Sequence, residues 1–286
     1  MDQKIIDLYD TYTHGGMSRR TFFDKLVMLT GGIAAATALL PILENNYAKA
    51  DMVPETDSRI KTELVTFKAG AQDVKGYLVR PAADGKYPSV VVVHENRGLN
   101  PHTKDVARRL AVAGYLSIAV DFLSPIGGTP SDQDKARDMI GTLNASDVTN
   151  WAQGAVAYLR GNASSNGKVG AVGFCWGGGV IGRLAVAEPS LDAAVVYYGQ
   201  QPPAEEVAKI QAPLLLNYAG LDERINAGIP AFEDALKKSG KEYTLHIYEG
   251  AQHAFLNDTN EARYSKEAAD LAWSRTLDFF KQHLAG

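Results

Sequence analysis

Residues 169–179 read Val169-Gly170-Ala171-Val172-Gly173-Phe174-Cys175-Trp176-Gly177-Gly178-Gly179. The run from Val169 to Phe174 is apolar and short, which predicts a strand. The run from Gly178 to Ala187 carries helical spacing and stops before Pro189. Strand and helix therefore meet with almost no linker, at Gly173-Phe174-Cys175-Trp176-Gly177. This is a G-x-nucleophile-x-G elbow with cysteine at its apex. Such a turn is strained, and a Cβ two residues to either side would crowd the strand and the helix. A thiol at the apex lies at a helix N-terminus, where free amide hydrogens and the helix dipole favour a thiolate.

The pattern around the elbow fits the same architecture. Upstream, Glu63–Lys68 and Val74–Arg80 are strand candidates joined by a turn at residues 70–73, and Ser89–Val93 holds four consecutive valines. Such a run fits a strand buried on both faces. Helical patterns over His102–Ala113, Asp132–Ile140 and Val148–Leu159 flank the strand Tyr115–Val120. Downstream come strands at Ala193–Tyr198, Leu214–Tyr218 and Tyr243–Tyr248, with helices at Ile229–Lys238 and Ala262–His283. Alternation of this kind predicts an α/β fold, a mostly parallel sheet covered by helices on both faces. Active residues then collect at the carboxyl ends of the strands.

A nucleophilic cysteine needs a base, and the base needs an orienting acid. Of six histidines, only His246, His253 and His283 follow Cys175. His246 falls inside a strand and His283 near the end of the last helix. His253 falls in the loop between them, where a base is expected. Asp222, in Gly220-Leu221-Asp222-Glu223-Arg224, follows the strand Leu214–Tyr218 and is the preferred acid; Glu223 is its neighbouring rival.

The combination of Gly173-Phe174-Cys175-Trp176-Gly177-Gly178, Asp222, His253-Ala254-Phe255 and Glu95 in Val93-His94-Glu95-Asn96 resembles the dienelactone hydrolase family. The resemblance spans about residues 64–284. It implies a three-layer α/β-hydrolase fold without a large cap, and a Cys175–His253–Asp222 triad. It also implies a resting thiol held by Glu95, oxyanion contacts from the backbone amides of Trp176 and Asn96, and no metal or organic cofactor. Members that act on dienelactone hold a carboxylate with two arginines. The loops that would carry them, Phe122–Pro130 and Ala254–Asp258, have none. A more neutral ester or lactone is therefore expected, with Arg97, Phe122, Tyr198 and Phe255 as pocket candidates. The alternatives are another electrophile, such as a thioester, an amide-like group or an organophosphate, and a non-catalytic member of the fold.

Composition narrows the field further. The 286 residues are 45% hydrophobic and 22% charged, as in folded proteins. Lys and Arg total 29 against 33 Asp and Glu, a formal charge of −4, with no basic stripe to suggest nucleic acid. Cys175 is the single cysteine, which excludes an internal disulfide and a cysteine-rich metal site.

Residues 1–50 read as a separate object from the hydrolase domain at 51–286. Ser18-Arg19-Arg20-Thr21-Phe22-Phe23 precedes an uncharged stretch, Leu26–Leu43, and Ala48-Lys49-Ala50 supplies a small-x-small site. This order resembles a bacterial twin-arginine signal, which implies the twin-arginine export machinery as a partner and a periplasmic or exported protein. A retained helical extension on a cytoplasmic protein and a membrane anchor are the competing readings. Ile5, Ile6, Leu8 and Tyr9 lie ahead of the arginines and could form a small helix.

Overall fold

The computed structural model describes residues 1–285. Eight strands form one sheet: β1 (Ile60–Ala69), β2 (Gln72–Pro81), β3 (Tyr87–Val93), β4 (Leu116–Asp121), β5 (Ser165–Phe174), β6 (Ala193–Tyr197), β7 (Leu214–Ala219) and β8 (Tyr243–Tyr248). Their spatial order is β1-β2-β4-β3-β5-β6-β7-β8. β2 runs antiparallel to both its neighbours, and all other pairings are parallel. The opening hairpin turns on Gly70, whose φ of 61° suits a residue without a Cβ.

The valine strand shows how the sequence makes a three-layer structure. Val91 and Val93 pack into one core, Val90 and Val92 into the other, and none is exposed. Each valine so buried contributes about 2 kcal/mol. One face is covered by the helices Ala145–Arg160, Trp176–Ala187 and Ile229–Lys238, through residues such as Val156, Ile181 and Phe232. The other is covered by Pro101–Val112 and Lys266–Leu284, through Val106, Leu110, Ala272 and Phe280. The chain order reverses at β3, whose neighbours are β4 and β5. Val93 pairs with Gly173, so the loop after β3 and the cysteine turn after β5 open side by side. This is the crevice where α/β sheets place their ligands.

The expected last helix, Ala262–His283, begins only at Lys266, where Ser265 caps it. The residues before it are held by the N-terminal segment instead. The Asn260 amide donates to the Leu43 carbonyl at 2.6 Å and to Asn45 Oδ1 at 2.9 Å, and the Asn46 amide donates to the Thr259 carbonyl at 2.7 Å.

That segment comprises α1 (Gln3–Thr13), α2 (Arg19–Thr30) and α3 (Ile33–Leu43). Their apolar faces meet in a small core of Ile5, Tyr9, Tyr12, Phe22, Leu26, Ala36 and Leu43. Tyr12 and Phe22 stack with centroids 4.6 Å apart. Ser18 caps α2 by accepting from the Thr21 amide, and Arg19 pairs with Glu44 and Asp134, each at 2.9 Å. Ala50, the last residue of the small-x-small site, is fully buried. No single helix here is long and apolar enough to cross a membrane.

Phe22 is 1% exposed and central to this cluster. Phe22→Ala should remove about 3–5 kcal/mol of packing and loosen residues 1–50 from the sheet domain. Limited trypsinolysis should then cut at Arg19, Arg20 or Lys25 several-fold faster while the remainder stays intact. Equal cleavage of variant and wild type would contradict this account of the cluster.

Candidate active site

The elbow forms because two glycines permit it. Cys175 takes φ 55° and ψ −116°, a conformation that L residues rarely adopt. A Cβ on Gly173 would lie 2.2 Å from the Gly177 carbonyl oxygen, and one on Gly177 would lie 2.4 Å from that of His94. The strand, the helix α4 (Trp176–Ala187) and the end of β3 thus approach backbone to backbone. The Cys175 amide donates to the Tyr197 carbonyl at 3.0 Å and fixes the turn to β6. Trp176 opens α4, so its amide is among those a helix leaves unpaired.

Asp222 and His253 come together from the loops after β7 and β8. Asp222 Oδ2 lies 2.5 Å from His253 Nδ1, and both residues are buried. Burial alone would raise the Asp222 pKa, but the His253 hydrogen bond and charge hold it below the usual carboxylate value. His253 Nε2 is buried and has no hydrogen-bond partner among the described residues. Asp222 also accepts from the Ile225 amide at 3.2 Å, so it caps the short turn of helix that follows.

The partner of the thiol is a residue the sequence reading did not single out. His14, at the end of α1, places Nε2 3.4 Å from Cys175 Sγ. Its Nδ1 faces the Asp10 carbonyl at 2.8 Å and Asp10 Oδ2 at 3.3 Å. The rings of His14 and His253 stand edge to face, 4.8 Å between centroids. Burial works against a charge on His14, yet the Cys175 sulfur and Asp10 outweigh it and raise the pKa. Burial likewise works against the Asp10 carboxylate, but His253, His14 and Arg263 hold it well below the usual range. Arg224 donates to His14 Nε2 at 3.1 Å, which favours the neutral ring. The Arg224 side chain is 46% exposed, so water screens it, and the buried contacts dominate. The sequence did hold one signal: Asp10 and His14 are four apart, on one face of a helix. Nothing local tied that face to Cys175, 161 positions away.

Glu95 is buried beside the cluster, but it does not hold the thiol. Its Oε2 accepts from the Asn257 amide at 2.9 Å, and its Oε1 has no partner among the described residues. The expectation of a Glu95-held thiol is thus replaced by a His14-held one. The end of α1 lies against the elbow and brings its own imidazole to the sulfur. Asn96 faces the same space, and its side-chain amide donates to the Thr13 carbonyl at 2.7 Å.

Of the expected pocket residues, Tyr198 lines a cavity of about 510 Å³ that also contains Cys175, Trp176 and both histidines. Phe122 and Phe255 do not. Phe122 is fully buried behind the site against His94 and Trp176, whose rings stack 5.3 Å apart. Phe255 is fully buried among Tyr197, Tyr198 and Tyr248. Both are core, because aromatic rings next to a sheet bury more area there than at a pocket wall. Arg97 is buried under α1, held by Gln133 and the Tyr9 hydroxyl. The arginines that do line the cavity are Arg137 and Arg224, from helical segments outside the two loops where arginines were sought. Arg137 pairs with Asp134 and Asp138. A second cavity of about 610 Å³ lies across His14 and His253, lined by Gln3, Asp10, Asp222 and Gln252, and lacks Cys175. The smaller cavity is therefore the one in which chemistry at sulfur can occur.

Comparison with known proteins identifies the family and several relatives. The profile described as "Dienelactone hydrolase family" matches residues 74–284, and one described as "YqhI-like" matches residues 1–29. A carboxymethylenebutenolidase-type protein of Methylorubrum extorquens is 30% identical over 273 residues, covering 88% of this chain and 94% of its own. A lactonase-type protein of Bradyrhizobium, whose name specifies 2-oxo-3-(5-oxofuran-2-ylidene)propanoate, is 34% identical over 241 residues, covering 79% and 96%. The crystal structure of a dienelactone hydrolase-type protein from Klebsiella pneumoniae superposes with a TM-score of 0.71 at 26% identity, covering 78% of this chain and 99% of that one.

The sign of the His14 contribution to stability follows from its raised pKa. A histidine whose folded pKa lies above its unfolded value stabilises fully below the unfolded value and loses that effect as pH rises through the folded one. His14→Ala should therefore cost about 2 kcal/mol near pH 6, as for a charged hydrogen bond, and less near pH 9. Urea unfolding of both proteins at the two pH values measures this; a cost that grows with pH would contradict the assignment.

Proposed function

This chain belongs to the dienelactone hydrolase family and is an ester or lactone hydrolase with a cysteine nucleophile; we propose that two histidines, one from each part of the chain, share the proton transfers. The observation that carries this reading is the His14 Nε2 to Cys175 Sγ contact beside the Asp222–His253 pair. His14 takes the thiol proton, and Asp10 stabilises the imidazolium. The Cys175 thiolate attacks the substrate carbonyl, and the amides of Trp176 and Asn96 meet the oxyanion. Collapse expels the alkoxide, which an imidazolium protonates, and leaves a thioester on Cys175. His253, oriented by Asp222, then deprotonates a water that attacks the thioester; the C–S bond breaks, the acid leaves, and the Cys175 sulfur recovers the proton held by the imidazolium. Glu95, bonded to the Asn257 side-chain amide and lining the same small cavity as Cys175, is a positioning carboxylate in this scheme.

The substrate is a small ester or lactone that fits the 510 Å³ cavity. The arginine-free loops argued for a neutral one. Two observations favour an anionic group at its far end: Arg137 and Arg224 line the cavity, and the Bradyrhizobium relative is named for a lactone bearing a carboxylate. Arg137 is held by acids at 3.1 and 2.9 Å, whereas Arg224 meets a carboxylate only at 3.7 Å and is 46% exposed, which makes Arg224 the more available cation.

Residues 1–50 serve this scheme as a retained part of the site. The Arg19-Arg20 motif keeps the export reading as its rival, since cleavage after Ala50 would remove His14 and Asp10 together. Mass spectrometry of the protein from its native cells separates the two: an N-terminus at Asp51 supports export, and an intact α1 supports retention.

Hydrolysis of p-nitrophenyl acetate should fall about 10³-fold or more in Cys175→Ala and about 10²-fold or more in both His14→Gln and His253→Gln. Unchanged turnover in Cys175→Ala would remove the nucleophile; unchanged turnover in His14→Gln would leave the older triad alone. Arg224→Gln should lower the preference for p-nitrophenyl hemisuccinate over p-nitrophenyl butyrate by about tenfold, as for one charged hydrogen bond. An equal preference in wild type and variant would restore the neutral-substrate reading.

A further inference from the structure

We propose that Cys175, His14 and His253 form a three-ligand site for Zn²⁺, occupation of which blocks the nucleophile and ties the N-terminal helices to the hydrolase core. The metal site itself depends on where three donor atoms lie and not on what they catalyse; only the blocking of the nucleophile rests on the hydrolytic reading.

The donors are one sulfur and two imidazole nitrogens, a set that suits a borderline-soft divalent cation. All three atoms lie within 4.8 Å of one another. The Sγ to His14 Nε2 edge is 3.4 Å. A tetrahedral zinc with bonds of about 2.3 Å to sulfur and about 2.0 Å to nitrogen needs edges of roughly 3.5 Å. His14 is already at that distance, and the His253 donor, within 4.8 Å of the other two, must draw in to reach it.

Both imidazoles are prepared in the same way. His14 Nδ1 faces Asp10 Oδ2 at 3.3 Å, and His253 Nδ1 faces Asp222 Oδ2 at 2.5 Å. Each Nε2 is thereby turned toward the sulfur. A carboxylate behind the histidine that ligates a metal fixes the tautomer and raises the basicity of the ligand. Here the arrangement occurs twice around one thiol. His253 Nε2 adds an independent sign: it is a buried polar atom in a residue 5% exposed, and it has no partner among the described residues. An orphan of this kind aimed at two other donors calls for a ligand.

The charges are balanced for a dication. Zinc on a thiolate leaves one net positive charge, and Asp10 and Asp222 stand behind the two ligands. Arg263 opposes it from beside Asp10, with Nη1 3.6 Å from Oδ1. Arg224 must leave His14 Nε2; its side chain is 46% exposed and can keep its Nε near Asp10 Oδ2, now 3.7 Å away, while its Nη2 turns off the ring. The fourth position of the metal opens into the 510 Å³ cavity, where water can complete the tetrahedron. The three ligands come from the C-terminal cap of α1, the elbow after β5 and the loop after β8, so a bound ion adds coordinate bonds between segments that hydrogen bonds such as Asn96 to the Thr13 carbonyl already join.

The test uses the full-length, reduced, metal-free protein and Co²⁺ as a spectroscopic probe for Zn²⁺. One equivalent should give a thiolate-to-cobalt charge-transfer band in the near ultraviolet and strong tetrahedral bands in the visible, both erased by Zn²⁺. Zn²⁺ should also slow trypsin cleavage within residues 1–50, and ester hydrolysis should fall in step with occupancy and return with a chelator. Cys175→Ser should remove the charge-transfer band, and His14→Ala should weaken binding. Asp10→Asn, which keeps all three ligands, should weaken it about 10- to 100-fold. His246→Ala, on β8 outside the cluster, should leave binding unchanged. No saturable Co²⁺ binding, or a spectrum identical in Cys175→Ser, overturns the site. An inactive protein that still shows the cobalt bands would instead overturn the hydrolytic reading, and the blocking with it, and leave the metal site standing.

Discussion

The backbone contact between the cysteine turn and the end of β3 constrains everything else at this site. Gly177 sits so close to the carbonyls of Val93 and His94 that no side chain fits between them. That closeness brings the Glu95–Asn96 loop and the cysteine to one crevice, and it forces Cys175 to a positive φ. The sheet holds the strain because β5 is paired on both sides, with β3 as far as Gly173 and with β6 as far as Phe174. A rigid centre of this kind fixes the sulfur independently of the loops around it, so loops and termini can vary in what they bring to it.

Two such suppliers act here. The loops after β7 and β8 bring Asp222 and His253, and α1 brings Asp10 and His14. The two carboxylate–imidazole pairs are alike in logic: a buried acid, kept ionised by the imidazole it touches, orients the ring toward one sulfur. Burial makes each pair costly alone. Their mutual charge, with Arg263 and Arg224 nearby, makes the set stable as a network. The thiol therefore has more ionic company than a single triad would give it.

The N-terminal segment also changes the shape of the site. Without it the elbow would open broadly; with it the space divides into two cavities on either side of His14. Its own aromatic core and its backbone bonds to residues 259–262 hold it in place. The Ser18-Arg19-Arg20 motif has structural work in this arrangement, since Ser18 caps α2 and Arg19 joins Glu44 and Asp134. The same residues that resemble an export signal also fit a folded, docked helix.

What the sequence determined by itself was local. Period-two and helical spacing, the valine run and the glycines around Cys175 dictate strands, helices and the turn between them, because each follows from sterics within a few residues. The chain order of Cys175, Asp222 and His253 marked three strand ends, and strand ends of a parallel sheet share one edge. Phe122 and Phe255 went to the core because an aromatic residue near a sheet end looks the same in sequence whether it faces a pocket or the interior. Only the tertiary structure decided which imidazole touches the sulfur and which arginines line the cavity. His14 reaches Cys175, and Arg137 and Arg224 reach the cavity it lines, by the docking of segments far apart in the chain. Such contacts depend on how separate elements dock, and no spacing along the chain records that.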